Sequence, residues 1–210
     1  MPERPDSRIE TAKLFFARGE HVCPFAAVAE VRGEVSYMQA INSDFSLTNG
    51  VVNFLKSGKK ALVIMLPAGS GSIEEARHRA DLYFLAIARV LLKAQNRKIS
   101  STELEETIQT QILPYMTRDS KQHVFLSFKN QALYIIYMGP EYKANEAGVP
   151  HSRYAPHPML VMTRHQDVYD AKNEQPRIFG EIRERMRKAM GGIYDASERV
   201  LDQKPEIQEL

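Results

Sequence analysis

Residues 61–66, "ALVIML", are the feature that most constrains how this chain can fold. The run is almost continuously apolar and has the length of one β-strand, which is typical of a strand buried on both faces. It is far too short to cross a bilayer. The run therefore predicts a strand inside a sheet that is covered on its two sides.

Two helices with matching start signals follow this strand. Ser72 and Glu75 have the spacing of a capping box, and Ser100 and Glu103 repeat that spacing before a helix that ends at Pro114. The first helix has a stripe of apolar residues at spacings of three and four. The stripe consists of Ala76, Ala80, Tyr83, Ile87 and Leu91. Further helices are predicted over residues 7–18, 46–60 and 176–192.

The remaining periodic segments predict strands. Residues 33–41 alternate in the manner of a strand, and residues 123–139 have the pattern of a hairpin with a tight turn at 129–130. Another strand is predicted over residues 158–165, after a loop at 139–157. Strands interleaved with helices, together with one antiparallel hairpin, predict an α+β fold: a mixed, mainly antiparallel sheet covered by helices.

Composition limits the partners and the compartment that we expect. Of 210 residues, 43% are hydrophobic and 26% charged, with a formal net charge of +2. This balance does not favour a nucleic-acid or membrane partner. The single cysteine, Cys23, excludes an internal disulfide and a cysteine-rich zinc site. Because the start of the sequence has no apolar signal region, we expect a reducing, cytoplasmic compartment.

Three patterns have both a structural and a functional interpretation. The "AGSGS" stretch before Ile73 lacks the lysine of a P-loop, so a capped loop is favoured over a phosphate cradle. The basic helix at 176–192 carries Glu-to-Arg pairs at i+4, which favours a solvated face. His151, His157 and His165 surround one loop and the strand after it, an arrangement that fits a ligand set or ordinary structural positions equally well.

Cys23 is also open to more than one interpretation. A lone cysteine in an apolar run such as "HVCPFAAVAE" is usually a small buried hydrophobe. A nucleophilic role requires a base, for which His21 or a histidine distant in sequence is a candidate. A thiolate is also a ligand of haem iron.

Five segments, in the same order, resemble motifs of the YqcI/YcgG family of bacterial proteins. They are "VCPFAAVAEVRGEVSY", "VVNFLKSGKKALVIMLP" with "SIEEARHRADLYFLAIARVL", "VFLSFKNQALYIIYMGPEY", "HSRYAPHPMLVMTRHQDV" and "EIRERMRKAMGGIYDASERV". The chain departs from the family at Val22, where the family has an aromatic residue, and at Pro24, which follows the cysteine. The matched segments lie within a single predicted domain at 20–203, between an N-terminal segment at 1–19 and a tail at 204–210.

The resemblance implies a haem site and assigns its residues by position. Cys23 takes the place of the family cysteine, His165 that of the histidine at a strand end, and Ser152 with Arg153 that of a Ser-Arg pair. Cys23 and His165 are then the candidate catalytic residues and the alternative iron ligands. The residues expected around haem b are Cys23, Ser152, Arg153, His157, Arg164 and His165. Arginines suit haem propionates or a substrate carboxylate.

By resemblance, we expect a haem-dependent monooxygenase. Its reaction would be hydroxylation of an amine or guanidine nitrogen on an amino-acid-like small molecule, with electrons from a donor that the sequence does not name. A non-enzymatic protein that binds haem or another small ligand is the alternative. A cysteine-dependent hydrolase or transferase is a third hypothesis, and a homodimer is kept open beside a monomer.

Overall fold

The apolar run at residues 61–66 forms a strand within a five-stranded sheet. The computed structural model describes residues 7–18, 29–40, 44–67, 72–113, 123–128, 131–142, 153–164, 166–167 and 170. The helices are α1 (Ser7–Arg18), α2 (Asp44–Lys56), α3 (Ile73–Gln95) and α4 (Ser101–Thr107), which continues as a π-helical turn (Ile108–Ile112). The strands are β1 (Val35–Gln39), β2 (Ala61–Met65), β3 (His123–Phe128), β4 (Gln131–Met138) and β5 (Met159–Arg164).

The sheet is mixed and mainly antiparallel, as the sequence predicts. Its strand order is β1-β2-β5-β4-β3, in which β1 and β2 are parallel and each other neighbouring pair is antiparallel. In the predicted hairpin, Phe128 pairs with Gln131, a register that leaves two residues for the turn. The turn at 129–130 and the helix predicted over 176–192 lie outside the described residues. The α+β prediction is confirmed.

Helices cover both faces of the sheet, because successive residues of a strand point to opposite sides. Leu62 and Ile64 pack in the larger apolar cluster with α2, α3 and α4. Val63 and Met65 pack on the other side in a smaller cluster with Phe15 and Phe16 of α1, among others. All residues of β2 are buried, so the prediction of a strand covered on two sides is confirmed.

The helix starts follow the capping signals closely. Ser72 accepts a hydrogen bond from the backbone N–H of Glu75, and Ser100 with Glu103 forms a complete capping box. The hydrogen bonds to the carboxylate lower the pKa of Glu103. Residues Ile108–Ile112 form a π-helical turn, whereas the sequence predicts a regular α-helix there. The backbone N–H of Leu113 bonds the carbonyl of Ile108, and the turn buries both Ile108 and Ile112.

Helix α1 belongs to the core, although it lies in the segment 1–19 that the sequence sets apart from the main domain. Phe16 is only 1% exposed, and Phe15 packs edge-to-face on it. The Arg8 guanidinium donates a hydrogen bond to the carbonyl of Leu66, just beyond β2. The N-terminal helix therefore covers the second face of the sheet.

Candidate functional site

Strand β4 ends at a buried polar cluster formed by Arg79, Tyr137 and Glu141, here called the β4-end cluster. Tyr137 is fully buried near the end of β4, and its hydroxyl is 3.2 and 3.1 Å from the two carboxylate oxygens of Glu141. Arg79 reaches the same carboxylate from α3, with 2.9 Å between Nη2 and Oε1. Three groups with hydrogen-bonding or ionic chemistry therefore converge at one end of the sheet.

Burial sets the electrostatics of this cluster. The Glu141 side chain is 5% exposed, whereas the Arg79 side chain is 25% exposed. A carboxylate so far removed from water needs a charged partner, and Arg79 supplies it. Burial, and then the negative charge of Glu141, raise the pKa of the Tyr137 hydroxyl above its ordinary value. Tyr137 therefore keeps its proton and donates it to the hydrogen bond with Glu141.

Gly139 provides the space in which the cluster forms. A Cβ atom on this residue would collide with Oε2 of Glu141 and would lie 2.7 Å from the Tyr137 hydroxyl oxygen. The Gly139 N–H donates a hydrogen bond to the carbonyl of Arg153 at 2.9 Å, and its carbonyl accepts one from Ala155 at 3.2 Å. The chain that leaves β4 therefore returns to the same point before it enters β5.

One donor of the cluster has no acceptor. Nε of Arg79 is buried, and no hydrogen-bond partner lies within reach of it among the residues that the structure describes. Nearly all buried polar atoms in proteins are paired, so an exception at a charged side chain calls for an explanation. Arg79 therefore combines a buried, unsatisfied Nε with a side chain that is 25% exposed.

Two residues predicted from the sequence, Arg153 and His157, lie in the chain between the cluster and β5. Arg153 is buried, with 9% of its surface exposed, and its carbonyl holds Gly139. His157 is half-buried in the bend that leads to β5. Cys23, Ser152 and His165 lie outside the described residues, so their predicted roles stay predictions.

Arg164 lies at the opposite end of β5. The strand runs from Met159 to Arg164, which places the two ends about 17 Å apart. The guanidinium of Arg164 donates hydrogen bonds at 2.6–3.2 Å to backbone carbonyls where α2 ends, and one to Asp167. The accepting carbonyls belong to Phe54, Leu55, Ser57 and Lys59. Arg153 and Arg164 thus do not form one compact site, and a ligand role for Arg164 stays a prediction.

The end of β5 beside the β4-end cluster has apolar residues and an arginine in the same stretch of chain. Haem needs apolar walls and a cation for its propionates. One apolar cluster contains three buried residues from this end of the sheet, namely Met138, Ala155 and Met159. Arg153 lies two positions before Ala155 in the chain. At the Arg164 end, both terminal nitrogens of the guanidinium are already used by protein acceptors.

Sequence reasoning missed Arg79 and Glu141. The polar neighbourhood of His78 on α3 indicates a solvated helix face. His78 is exposed, whereas Arg79 is 25% exposed and pairs with the buried Glu141. Arg79 lies beside Ala80 and three positions after Ala76, both fully buried. A charged residue at the margin of an apolar stripe is the one signal that points to it.

Comparisons with known proteins do not place the chain in a family. No family model, curated protein or solved structure matches it. None of the described helices is both long and apolar enough to cross a membrane. Among the described side chains, no group of three or more His, Cys, Asp or Glu residues is arranged to hold a metal ion.

Proposed function

We propose that this protein is a haem-dependent monooxygenase that hydroxylates an amine or guanidine nitrogen of an amino-acid-like molecule. The proposal rests on the ordered resemblance of five segments. One observation supports it most: the segments "VFLSFKNQALYIIYMGPEY" and "HSRYAPHPMLVMTRHQDV" meet where Gly139 bonds Arg153, beside a buried charged cluster. Two motifs that are separated by eight residues of the chain thus contribute to one location.

The residues that would hold the cofactor follow from their chemistry. Arg153 would pair with a haem propionate, and Met138, Met159 and Ala155 would supply apolar contacts. Cys23 or His165 would be the iron ligand, as the resemblance implies. Because His165 directly follows Arg164 in the chain, at the far end of β5, Cys23 is the ligand that agrees with a haem held at Arg153. When bound, haem supplies the activation of molecular oxygen.

The chain itself contributes position and charge. Tyr137 and Arg79 hold the Glu141 carboxylate in one orientation, and this fixes the chain directly after β4. The Gly139–Arg153 hydrogen bond fixes the chain directly before β5. Both ends of the intervening segment are therefore held rigidly, which suits a site that must orient a small substrate.

We also propose that the protein works in the cytoplasm. A single cysteine has no internal disulfide partner, and a reducing compartment would keep Cys23 available as a thiolate.

The first test is the absorption spectrum of the full chain, expressed with a haem supply. We expect a Soret band that is shifted or lost in either Cys23→Ser or His165→Ala, whichever residue is the iron ligand. His78→Ala is the matched control, because His78 is exposed on α3. A protein without a Soret band, both as purified and after addition of haem, would overturn the proposal.

The second test separates an oxygenase from a non-enzymatic haem binder. The haem-loaded protein is incubated with a reductant, oxygen and a panel of amino acids, and products are measured by mass spectrometry. A product that is heavier by one oxygen atom on nitrogen is expected. A Soret band without any such product would favour the binding protein.

A further inference from the structure

We propose that Arg79 is a specificity-determining residue that binds the carboxylate of the small-molecule ligand. The nature of the ligand rests on the proposed function, but carboxylate binding is tested without turnover. The proposal comes from the geometry of the β4-end cluster, which contains a charged donor that the protein itself uses only in part.

The donors of Arg79 are unevenly used. A guanidinium has five N–H donors in a fixed plane, and Nη2 of Arg79 engages Glu141. Nε is buried without an acceptor among the described residues. The side chain as a whole is 25% exposed, so Arg79 is accessible from solvent although Nε is not. An incoming planar anion would pair with the guanidinium donors that are not buried and that Glu141 does not use.

Glu141 is too deeply buried to be the ligand-binding group. At 5% exposure, with both oxygens near the Tyr137 hydroxyl and one bonded to Arg79, it serves as an internal counter-ion. Its role is to hold the guanidinium in one orientation. A preorganised arginine loses less freedom on binding a carboxylate than a mobile one does.

A carboxylate is the anion that best matches this arrangement. It is planar and pairs with a guanidinium through two parallel hydrogen bonds, and an amino-acid-like ligand carries one. Glu141 already balances the charge of Arg79, which favours a ligand with a single negative charge over a phosphate. We therefore expect amino acids to bind better than the amines obtained from them by removal of the carboxylate.

A purely structural ion pair between α3 and the end of β4 is the competing explanation. It predicts that loss of Arg79 weakens all ligands alike, through a less stable protein. A carboxylate contact predicts a selective loss. The comparison of each amino acid with its own amine distinguishes the two.

The experiment is calorimetric titration of the full chain, as purified and haem-loaded. The probes are L-arginine, L-lysine and L-histidine, with agmatine, cadaverine and histamine as their amines, and inorganic phosphate. We expect at least one amino acid to bind about 10-fold or more tightly than its amine. Arg79→Gln should weaken that amino acid about 10- to 100-fold and leave the amine within about twofold.

Control variants keep the result interpretable. Arg89→Gln removes an arginine from the same helix whose guanidinium also pairs with a glutamate, Glu105, and it should change neither affinity. Arg79→Lys keeps the charge without the planar fork and should recover only part of the loss. Circular dichroism at the titration temperature checks that each variant is folded.

Equal affinities within every amino acid–amine pair would overturn the proposal, as would an equal loss for both members in Arg79→Gln. Phosphate binding tighter than any amino acid would also overturn it. Selective binding of an amino acid by a protein that lacks a Soret band would instead refute the haem proposal and leave the carboxylate site standing.

Discussion

Arg164 of β5 holds Phe54 of α2 in two ways. Its guanidinium carbon lies 4.7 Å from the centroid of the Phe54 ring, and its Nη2 donates a 3.0 Å hydrogen bond to the Phe54 carbonyl. The last carbonyls of a helix have no partner within the helix and carry partial negative charge. Arg164 therefore satisfies the end of α2 from a strand more than a hundred residues further along the chain.

We expect Arg164→Met to lower the free energy of unfolding by about 2–4 kcal/mol, because several partly buried carbonyls lose their donor. Urea denaturation measures this loss. Arg89→Met, which breaks an exposed ion pair with Glu105, should cost less than about 1 kcal/mol. Haem affinity of the folded variant tests the ligand role predicted from the sequence. A loss of haem affinity with unchanged stability would contradict the structural role described here.

The close approach at Gly139 makes a second prediction. Gly139→Ala places a methyl group against Glu141 and Tyr137, so we expect it to lower the free energy of unfolding by about 1–3 kcal/mol. Gly58→Ala is the control, because a Cβ atom there meets nothing within 4 Å. It should be neutral or slightly stabilising, by up to about 1 kcal/mol. Equal effects of the two substitutions on the free energy of unfolding would show that the β4-end cluster accommodates the added methyl group without loss of stability.

Tyr37 makes the free energy of unfolding depend on pH in the alkaline range. Burial, and then the 2.6 Å hydrogen bond to Glu30, raise the pKa of its hydroxyl above the ordinary value of 10.0. Above pH 10 the unfolded chain loses this proton while the folded protein keeps it. The contribution of Tyr37 to the free energy of unfolding is therefore fully present below pH 10. It decreases as the pH rises further, by at most about 1.4 kcal/mol per pH unit.

Urea denaturation between about pH 9 and pH 11 checks this dependence. Tyr37→Phe should make the alkaline decline less steep, since phenylalanine has no proton to lose, while Tyr137, whose pKa is also raised, keeps its own contribution. The surface tyrosine Tyr154, which packs edge-to-face on Phe15, is the control, and Tyr154→Phe should leave the slope of the wild type. A Tyr37→Phe slope equal to that of the wild type would refute the assignment.

Helix α1 should be essential for stability. Phe16→Ala leaves a cavity beneath the second face of the sheet, and we expect a loss of about 3–5 kcal/mol. Leu14 is on the same helix but is 54% exposed, so Leu14→Ala should cost less than about 0.5 kcal/mol. Thermal unfolding of both variants measures the difference. If the Phe16→Ala variant unfolds at the same temperature as the wild type, α1 lies on the sheet without stabilising it.

The features that could be predicted from the sequence are those with local causes. The Ser100–Glu103 capping box depends on residues three apart, and the β3–β4 register depends on a turn of two residues. The burial of β2 follows from six successive apolar side chains. In each case one short segment carries both the signal and most of the interaction that it predicts.

The candidate site depends on contacts for which no local pattern exists. Arg79 and Glu141 are 62 residues apart, and each stands in a polar stretch that, by itself, indicates exposure. Arg164 was expected to bind a ligand because arginines suit anions, yet its donors are used by the end of a helix 105–110 residues earlier. Only the tertiary fold determines which acceptor a charged side chain meets.

The hydrogen bond between Gly139 and Arg153 has a consequence for how this protein can change over evolution. It brings the chain that leaves β4 against the chain that enters β5, so the connection between the two strands begins and ends at one place. Doubling the length of such a loop costs only about 0.6 kcal/mol in chain entropy. Insertions and deletions there would leave the pairing of the two strands intact. Variants of this chain can thus differ in the length of this connection while they keep the same sheet.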